Sequence, residues 1–172
     1  MGEILARPVP EYDPLVTTNE PRELTPTARP LLEGSVCVRA RYSECDPMGY
    51  VHHAVYPVWM EMARTELLRP SGVSYRDMED ADVLLVIVRL ECRYKRPARY
   101  DDECIVSAKV IGGGRAKLVH AYEIRRVASD GVSPGELLVE AETTLGCIGR
   151  DGRPRPLPDW LMWGGSGKDA IA

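Results

Sequence analysis

From residue 35 to residue 43, apolar and polar side chains alternate. Val36, Val38, Ala40 and Tyr42 fall on one face, with Ser35, Cys37, Arg39, Arg41 and Ser43 on the other. A period of two predicts a half-buried strand. A helix is predicted over residues 53–68. Val55, Val58, Trp59, Met60, Met62, Ala63, Leu67 and Leu68 cover most of its circumference, leaving Glu61, Arg64 and Thr65 as a narrow polar strip. A helix this apolar is wrapped by other structure. Pro57 is acceptable only in its first turn, and Pro70 and Gly72 end it. Four more strands are predicted, over residues 83–96, 103–111, 116–127 and 136–148. Gly112, Gly113 and Gly114 read as a hairpin turn between the second and third of these, and residues 129–135 as a longer turn. In the last strand Leu137, Val139, Ala141, Thr143, Leu145 and Cys147 share one face. A strand, a helix and four strands joined largely by hairpins make an α+β fold with an antiparallel sheet.

The ends break this pattern. Residues 1–34 show no period and carry Pro8, Pro10, Pro14, Pro21, Pro26 and Pro30, so they read as an extended arm. Residues 35–160 form the domain, and residues 161–172, with a Gly-Gly-Ser-Gly run, read as a flexible tail.

Composition narrows the function. A chain of 172 residues suits one domain. A net charge of −4 argues against general nucleic-acid affinity, which needs a basic face. No apolar run approaches a membrane span, and the first residues lack the charged start and apolar block of a secretion signal. Five cysteines without a close CxxC pair disfavour a disulfide framework or a zinc site, so no metal is expected and a reducing cytoplasm fits best.

The candidate chemistry sits between the first strand and the helix. Asp46 is followed by Pro47 and Gly49, which turn the chain sharply just before the helix start. Helix N-termini offer unpaired N–H groups and partial positive charge. A carboxylate beside such donors can attack a carbonyl, or activate water, while the donors stabilise the oxyanion. The plain alternative is an Asp that caps the loop or the helix. His52 and His53 are adjacent, so they cannot form an i,i+4 metal pair.

The run Glu44-Cys45-Asp46-Pro47-Met48-Gly49-Tyr50-Val51-His52-His53, followed by Tyr56, Trp59, Glu61, Arg64, Glu66 and Leu67, resembles the signature of the hot-dog acyl-CoA thioesterases. Within these it is most similar to the 4-hydroxybenzoyl-CoA thioesterase-like family. The resemblance extends through residues 94–102, Tyr-Lys-Arg-Pro-Ala-Arg-Tyr-Asp-Asp, and spans roughly residues 36–158. It implies a hot-dog fold, a curved antiparallel sheet of about five strands wrapped around one central helix.

The implied activity is hydrolysis of an acyl-CoA thioester to the free acid and coenzyme A. Asp46 is then the nucleophile or general base, and the His53 backbone N–H helps to form the oxyanion hole. Gly49 allows the loop backbone to approach substrate. Tyr56 and Trp59 are candidates for the acyl pocket, or else plain core. Glu61 is a candidate near a partner's active site, or an ion-pair partner of Arg64. Arg96, in a basic stretch with Arg89, Arg93, Lys95 and Arg99, is the candidate for the phosphates of coenzyme A, against the reading of a solvated strand face. No cofactor is implied beyond the coenzyme A that arrives with substrate. A homodimer or homotetramer is expected. Rival readings within the fold are a non-catalytic acyl-CoA-binding module, a hydroxyacyl dehydratase, and a thioesterase acting on acyl-carrier-protein thioesters.

Overall fold

The computed structural model of the protein describes residues 24–163. Strand β1 spans Glu33–Arg39 and is followed by a short 3-10 turn at Tyr42–Glu44. Helix α1 spans Val55–Glu66 and runs on into a second 3-10 turn, Arg69–Ser71. A six-residue helix α2, Tyr75–Asp80, precedes β2 (Leu84–Tyr94), β3 (Glu103–Gly114), β4 (Lys117–Val127) and β5 (Pro134–Ile148). The five strands make one antiparallel sheet in the order β1-β3-β4-β5-β2. Helix α1 lies across β1 and β3, and the sheet curves around it. This is the hot-dog architecture that the resemblance implies.

The core fills the space between helix and sheet. Met60 and Ala63 of α1 meet Val106 of β3, Ile124 of β4, and Leu138, Val139 and Leu145 of β5, all fully buried. The outer face of the sheet is polar. Lys109 pairs with Glu33, Arg125 with Glu123, Lys95 with Glu140, and Arg89 and Arg93 both with Glu91.

Some details differ from the pattern reading, each for a local reason. Gly112–Gly114 are not the turn. They extend β3 and pair with Lys117–Val119, and the turn is Arg115 and Ala116. At Gly113 the absence of a side chain is what matters, because a Cβ there would meet the Lys117 carbonyl at 2.6 Å. In β5 a register shift between Ile124 and Arg125 leaves Leu138 as an extra residue. Leu138 is buried alongside Val139, so Leu137 leaves the inward set, whereas Val139, Ala141, Thr143, Leu145 and Cys147 keep it. Tyr42 leaves the strand alternation and is 81% exposed in the 3-10 turn.

The polar strip of α1 is also misplaced. Arg64 is buried at 7% exposure, whereas Val58 is 57% exposed and Met62 also reaches the surface. The cause is the segment after α1. It brings Tyr75 over Arg64, with the guanidinium 5.5 Å from the ring centroid, and leaves the Val58–Met62 side uncovered. Helix α2, at six residues, is too short to show a countable period, although Ser74 signals it. The Ser74 Oγ accepts from the Asp77 N–H at 3.2 Å, and the Asp77 carboxylate accepts from the Ser74 N–H at 2.8 Å.

The ends are partly tied down. The Thr27 N–H donates to the Ser71 carbonyl at 2.9 Å, Leu31 N–H to Leu67 at 2.9 Å, and Val110 N–H to Leu32 at 2.7 Å. Leu161 and Met162 pack against the core, so the expected tail starts inside the folded unit. The rest of the arm and tail, residues 1–23 and 164–172, lies outside the described residues.

Candidate active site

The chain between β1 and α1 folds back on itself as a miniature hairpin. Cys45 bridges Val51, the Asp46 N–H donates to the Tyr50 carbonyl at 2.8 Å, and the Gly49 N–H donates to the Asp46 carbonyl at 2.9 Å. Pro47, Met48 and Gly49 form the tip. Closing a loop this short needs one residue with positive φ, and Gly49 supplies it at +78°.

A second strap holds the hairpin from outside. The connection from β2 to β3 bridges Tyr50 through Arg99, and the Ala98 carbonyl accepts from the Val51 N–H at 2.9 Å. The Ala98 N–H donates to the Tyr56 hydroxyl at 3.0 Å. The hairpin is thereby tied both to this connection and to the first turn of α1.

Asp46 is half-buried in this frame. Its Oδ1 accepts from the Met48 N–H at 2.9 Å and more distantly from Tyr50 at 3.4 Å. Its Oδ2 makes no hydrogen bond among the described residues. The carboxylate is therefore both an Asx turn that shapes its own loop and a group with one oxygen free for chemistry.

The helix entrance follows within a few residues. The His52 carbonyl accepts from the Val55 N–H at 2.9 Å, and His52 Nδ1 accepts from the Ala54 N–H at 3.2 Å. The His53 N–H has no hydrogen-bond partner among the described residues, as expected of a donor ahead of the first helical turn. Pro57, in the first turn, removes a donor that the helix would not have used there. The imidazole of His53 is exposed and lies tilted against that of His52, ring centroids 4.1 Å apart. One carboxylate oxygen and one backbone donor are thus left without hydrogen-bond partners at this corner among the described residues.

The other predicted residues take varied places. Tyr56 and Trp59 are core, each 2% exposed and packed edge-on with ring centroids 5.4 Å apart. Burial raises the Tyr56 hydroxyl pKa above its ordinary value. The Trp59 ring still reaches the loop, its Nε1 donating to Glu44 at 3.4 Å. Glu61 is exposed on the far side of α1 and pairs with Arg64 at 2.9 Å. Arg96 is exposed and its guanidinium lies 3.6 Å from Glu136.

Two contributors reach the loop that the sequence pattern does not place there, Tyr94 and Arg99, the latter expected only as part of the basic stretch. The Tyr94 hydroxyl, on β2, donates to the His53 carbonyl at 3.1 Å and so fixes the peptide beside the free N–H. Burial pushes that hydroxyl pKa up to about 12, so it remains a donor. Arg99 lies over the Tyr50 ring, 4.8 Å from its centroid, and brings a cation to the loop. Both fall in the Tyr-Lys-Arg-Pro-Ala-Arg run, but no local pattern links that run to the hairpin. Only the fold does.

A curved five-stranded antiparallel sheet around one helix, with a carboxylate loop at the helix entrance, defines the hot-dog thioesterase class. Comparison with known proteins agrees. Residues 48–133 match the thioesterase superfamily. The putative acyl-CoA thioesterase YneP of Bacillus subtilis is 34% identical over 128 residues, covering 72% of this chain and 88% of that protein. The acyl-CoA thioester hydrolase YbgC of Escherichia coli is 31% identical over 126 residues, covering 73% and 90%. Among solved structures, the DHNA-CoA thioesterase of Staphylococcus aureus superposes with a TM-score of 0.64 at 31% identity, covering 73% of this chain and 79% of that one. The chain belongs to the thioesterase superfamily, and it is a thioester hydrolase.

Proposed function

We propose that the protein hydrolyses acyl-CoA thioesters to a carboxylic acid and coenzyme A, with Asp46 as the reacting carboxylate. The observation that carries this reading is the free Asp46 Oδ2 on a strapped loop leading into the unpartnered His53 N–H. The names of the relatives, an acyl-CoA thioesterase and an acyl-CoA thioester hydrolase, supply the carrier.

Two routes fit the pair. In the first, Oδ2 attacks the thioester carbonyl, the oxyanion accepts from the His53 N–H, and the coenzyme A thiolate leaves. The resulting mixed anhydride is then opened by water. In the second, Oδ2 takes a proton from a water that attacks the carbonyl directly, and the tetrahedral intermediate collapses with the C–S bond breaking and the coenzyme A thiolate leaving. Oxygen-18 from labelled water entering Asp46 in a single turnover would identify the first route.

Gly49 gives the loop tip an open approach, since nothing lies within 4 Å of where its Cβ would be. For the coenzyme A phosphates, Arg99 is the cation that the β2–β3 connection brings to the loop, whereas Arg96 is engaged with Glu136. The reaction needs no resident cofactor, because coenzyme A enters as part of the substrate.

The working unit is read as a homodimer, or a tetramer of two dimers. Strand β2 is an edge of the sheet and exposes Ile87, Val88, Leu90 and Tyr94. An open apolar edge invites pairing with a second copy. Because Tyr94 also touches His53, such pairing would place the partner beside the site.

The test is thiol release from short aliphatic, long aliphatic and aromatic acyl-CoA thioesters. Asp46→Asn is expected to lower kcat by roughly a hundredfold or more. A variant with near-wild-type turnover would remove Asp46 from the chemistry.

A further inference from the structure

The free edge of β1 lies beside an apolar groove that the proposed reaction does not use. β1 pairs with β3 on one side and ends the sheet on the other. The Val110 N–H donates to the Leu32 carbonyl, and the Ala40 N–H to the Asp102 carbonyl. In an antiparallel ladder such bonds recur at every second residue. The even-numbered residues of β1 therefore bond to β3, and the backbone groups of Ser35, Cys37 and Arg39 point to the open side. An open groove of about 680 Å³ runs along that side, between β1 and α1. Its apolar surface comes from Val58 and Met62 of α1 and from Tyr42 and Tyr100, all exposed. Arg41 follows β1 in the same groove with an extended backbone, and it makes no salt bridge among the described residues.

The chain itself supplies an occupant that fits in reach, direction and charge. Leu24, the first described residue, packs against Leu68 and Val73 just beyond α1. The start of β1 lies at that same end of the helix, since a Cβ on Gly34 would meet the Leu67 side chain at 2.9 Å. The chain ahead of Leu24 thus joins the fold where the groove begins, and laid along β1 it runs antiparallel to that strand. The stretch from Asn19 to Leu24 spans up to about 17 Å when extended, enough to set Asn19 opposite Ser35. Between Pro14 and Pro21 the sequence is Leu-Val-Thr-Thr-Asn-Glu, which opens with strand formers and has every N–H. With Asn19 opposite Ser35, Thr17 faces Cys37, Leu15 faces Arg39 and Asp13 faces Arg41. Pro14 then falls between ladder positions, where its missing N–H is not needed. Pro21, opposite Glu33, ends the pairing.

We propose that residues 13–19 of the same chain add to the free edge of β1 as a sixth, antiparallel strand, with Val16 on the Val58–Met62 surface and the Asp13 carboxylate beside Arg41. Val16 takes the inner side because Val38, its cross-strand neighbour, points inward. A small apolar ligand in the groove would leave the outward backbone groups of β1 unpaired, whereas a strand satisfies them and covers the apolar surface together. Covering β1 also leaves β2 as the open edge of the described sheet, so strand pairing between copies closes at two chains instead of continuing. None of this requires Asp46 to be catalytic.

The test is amide hydrogen exchange in the full-length protein, read by nitrogen-15 NMR at Ser35, Cys37 and Arg39. These outward N–H groups are expected to exchange about a hundredfold or more slowly than in an open chain, equally at high and low protein concentration. Thr17→Pro removes the donor opposite Cys37 and should speed exchange at Cys37 about tenfold or more. Directly opposed residues of an antiparallel pair lie within reach of a disulfide. Mild oxidation of Thr17→Cys should therefore join it to Cys37 within one chain, identified by peptide mass. Thr18→Cys, which points to the other face, should not join. Open-chain exchange at all three N–H groups in the wild type overturns the proposal. Protection that disappears on dilution, or a Thr17→Cys link between two chains, overturns it in favour of a second copy on this edge. Exchange unchanged by Thr17→Pro, or equal linking by Thr18→Cys, overturns the proposed strand. The wild-type exchange decides the matter even where a variant does not fold.

Discussion

Asp46 joins a structural role to the proposed catalytic one. Oδ1 accepts from the loop N–H groups, and in the proposed reaction Oδ2 meets the substrate. An Asn at this position can still accept through its amide oxygen, so Asp46→Asn should fold and report on chemistry alone. His53 contributes differently. Its donor is the backbone N–H, which every residue but proline has. His53→Ala should therefore keep kcat/KM within about tenfold of wild type, since side-chain assistance beyond that scale is what general acid–base groups supply. A loss as large as that of Asp46→Asn would show that the imidazole itself takes part. Gly49 is the third residue with a definable consequence. At φ +78° any Cβ is strained, so Gly49→Ala should cost on the order of 1–2 kcal/mol, read as a lowered midpoint in urea. The space around it is open, so a larger loss would mean that the loop had moved.

Among the elements, β1, α1 and the four later strands were legible because each has an alternating or apolar run long enough to be counted. What was not legible depends on contacts between elements. The bulge that buries Leu138 arises where β5 meets β4. Burial of Arg64 depends on Tyr75, eleven positions on and in another helix. Of the site, the Asp46 loop and the helix entrance were legible in one continuous run. The strap through Ala98 and Arg99, and the Tyr94 contact to His53, were not, because those residues reach the loop across more than forty positions of chain. Strand β2 is the element with a consequence for assembly. Its apolar edge is exposed, and Val88 is 58% exposed there. Val88→Lys sets like charges against each other in a self-paired edge. Sedimentation should find the wild type as a dimer or larger and the variant shifted towards monomer. A wild-type monomer would rule out edge pairing.

For the whole molecule, the clearest pH signature comes from His120. Burial, aided by the Arg64 charge, lowers its pKa from 6.5 to about 4. The folded protein therefore keeps it neutral while the unfolded chain protonates it near 6.5. Between these values the unfolded state binds the extra proton, so stability is full above about pH 6.5 and falls as the pH drops towards 4. The contribution at stake is on the order of 3 kcal/mol. Urea unfolding of wild type and His120→Phe from pH 7 to pH 4.5 should show a steeper acid loss in the wild type. Parallel curves would remove His120 from the balance. The sheet's outer face, with Lys109–Glu33, Arg125–Glu123, Lys95–Glu140 and the Glu91 pair of arginines, has a different kind of consequence. Opposite charges cancel in the three simple pairs and the Glu91 cluster keeps one net positive charge, so beyond a Debye length of about 8 Å the face projects little field. Two such faces brought together would hold by exchanging ionic partners and would be loosened by salt. Contacts through the apolar β2 edge would not be. In a tetramer built on both surfaces, raising the ionic strength would release dimers before monomers, and the order of release would retrace the order of assembly.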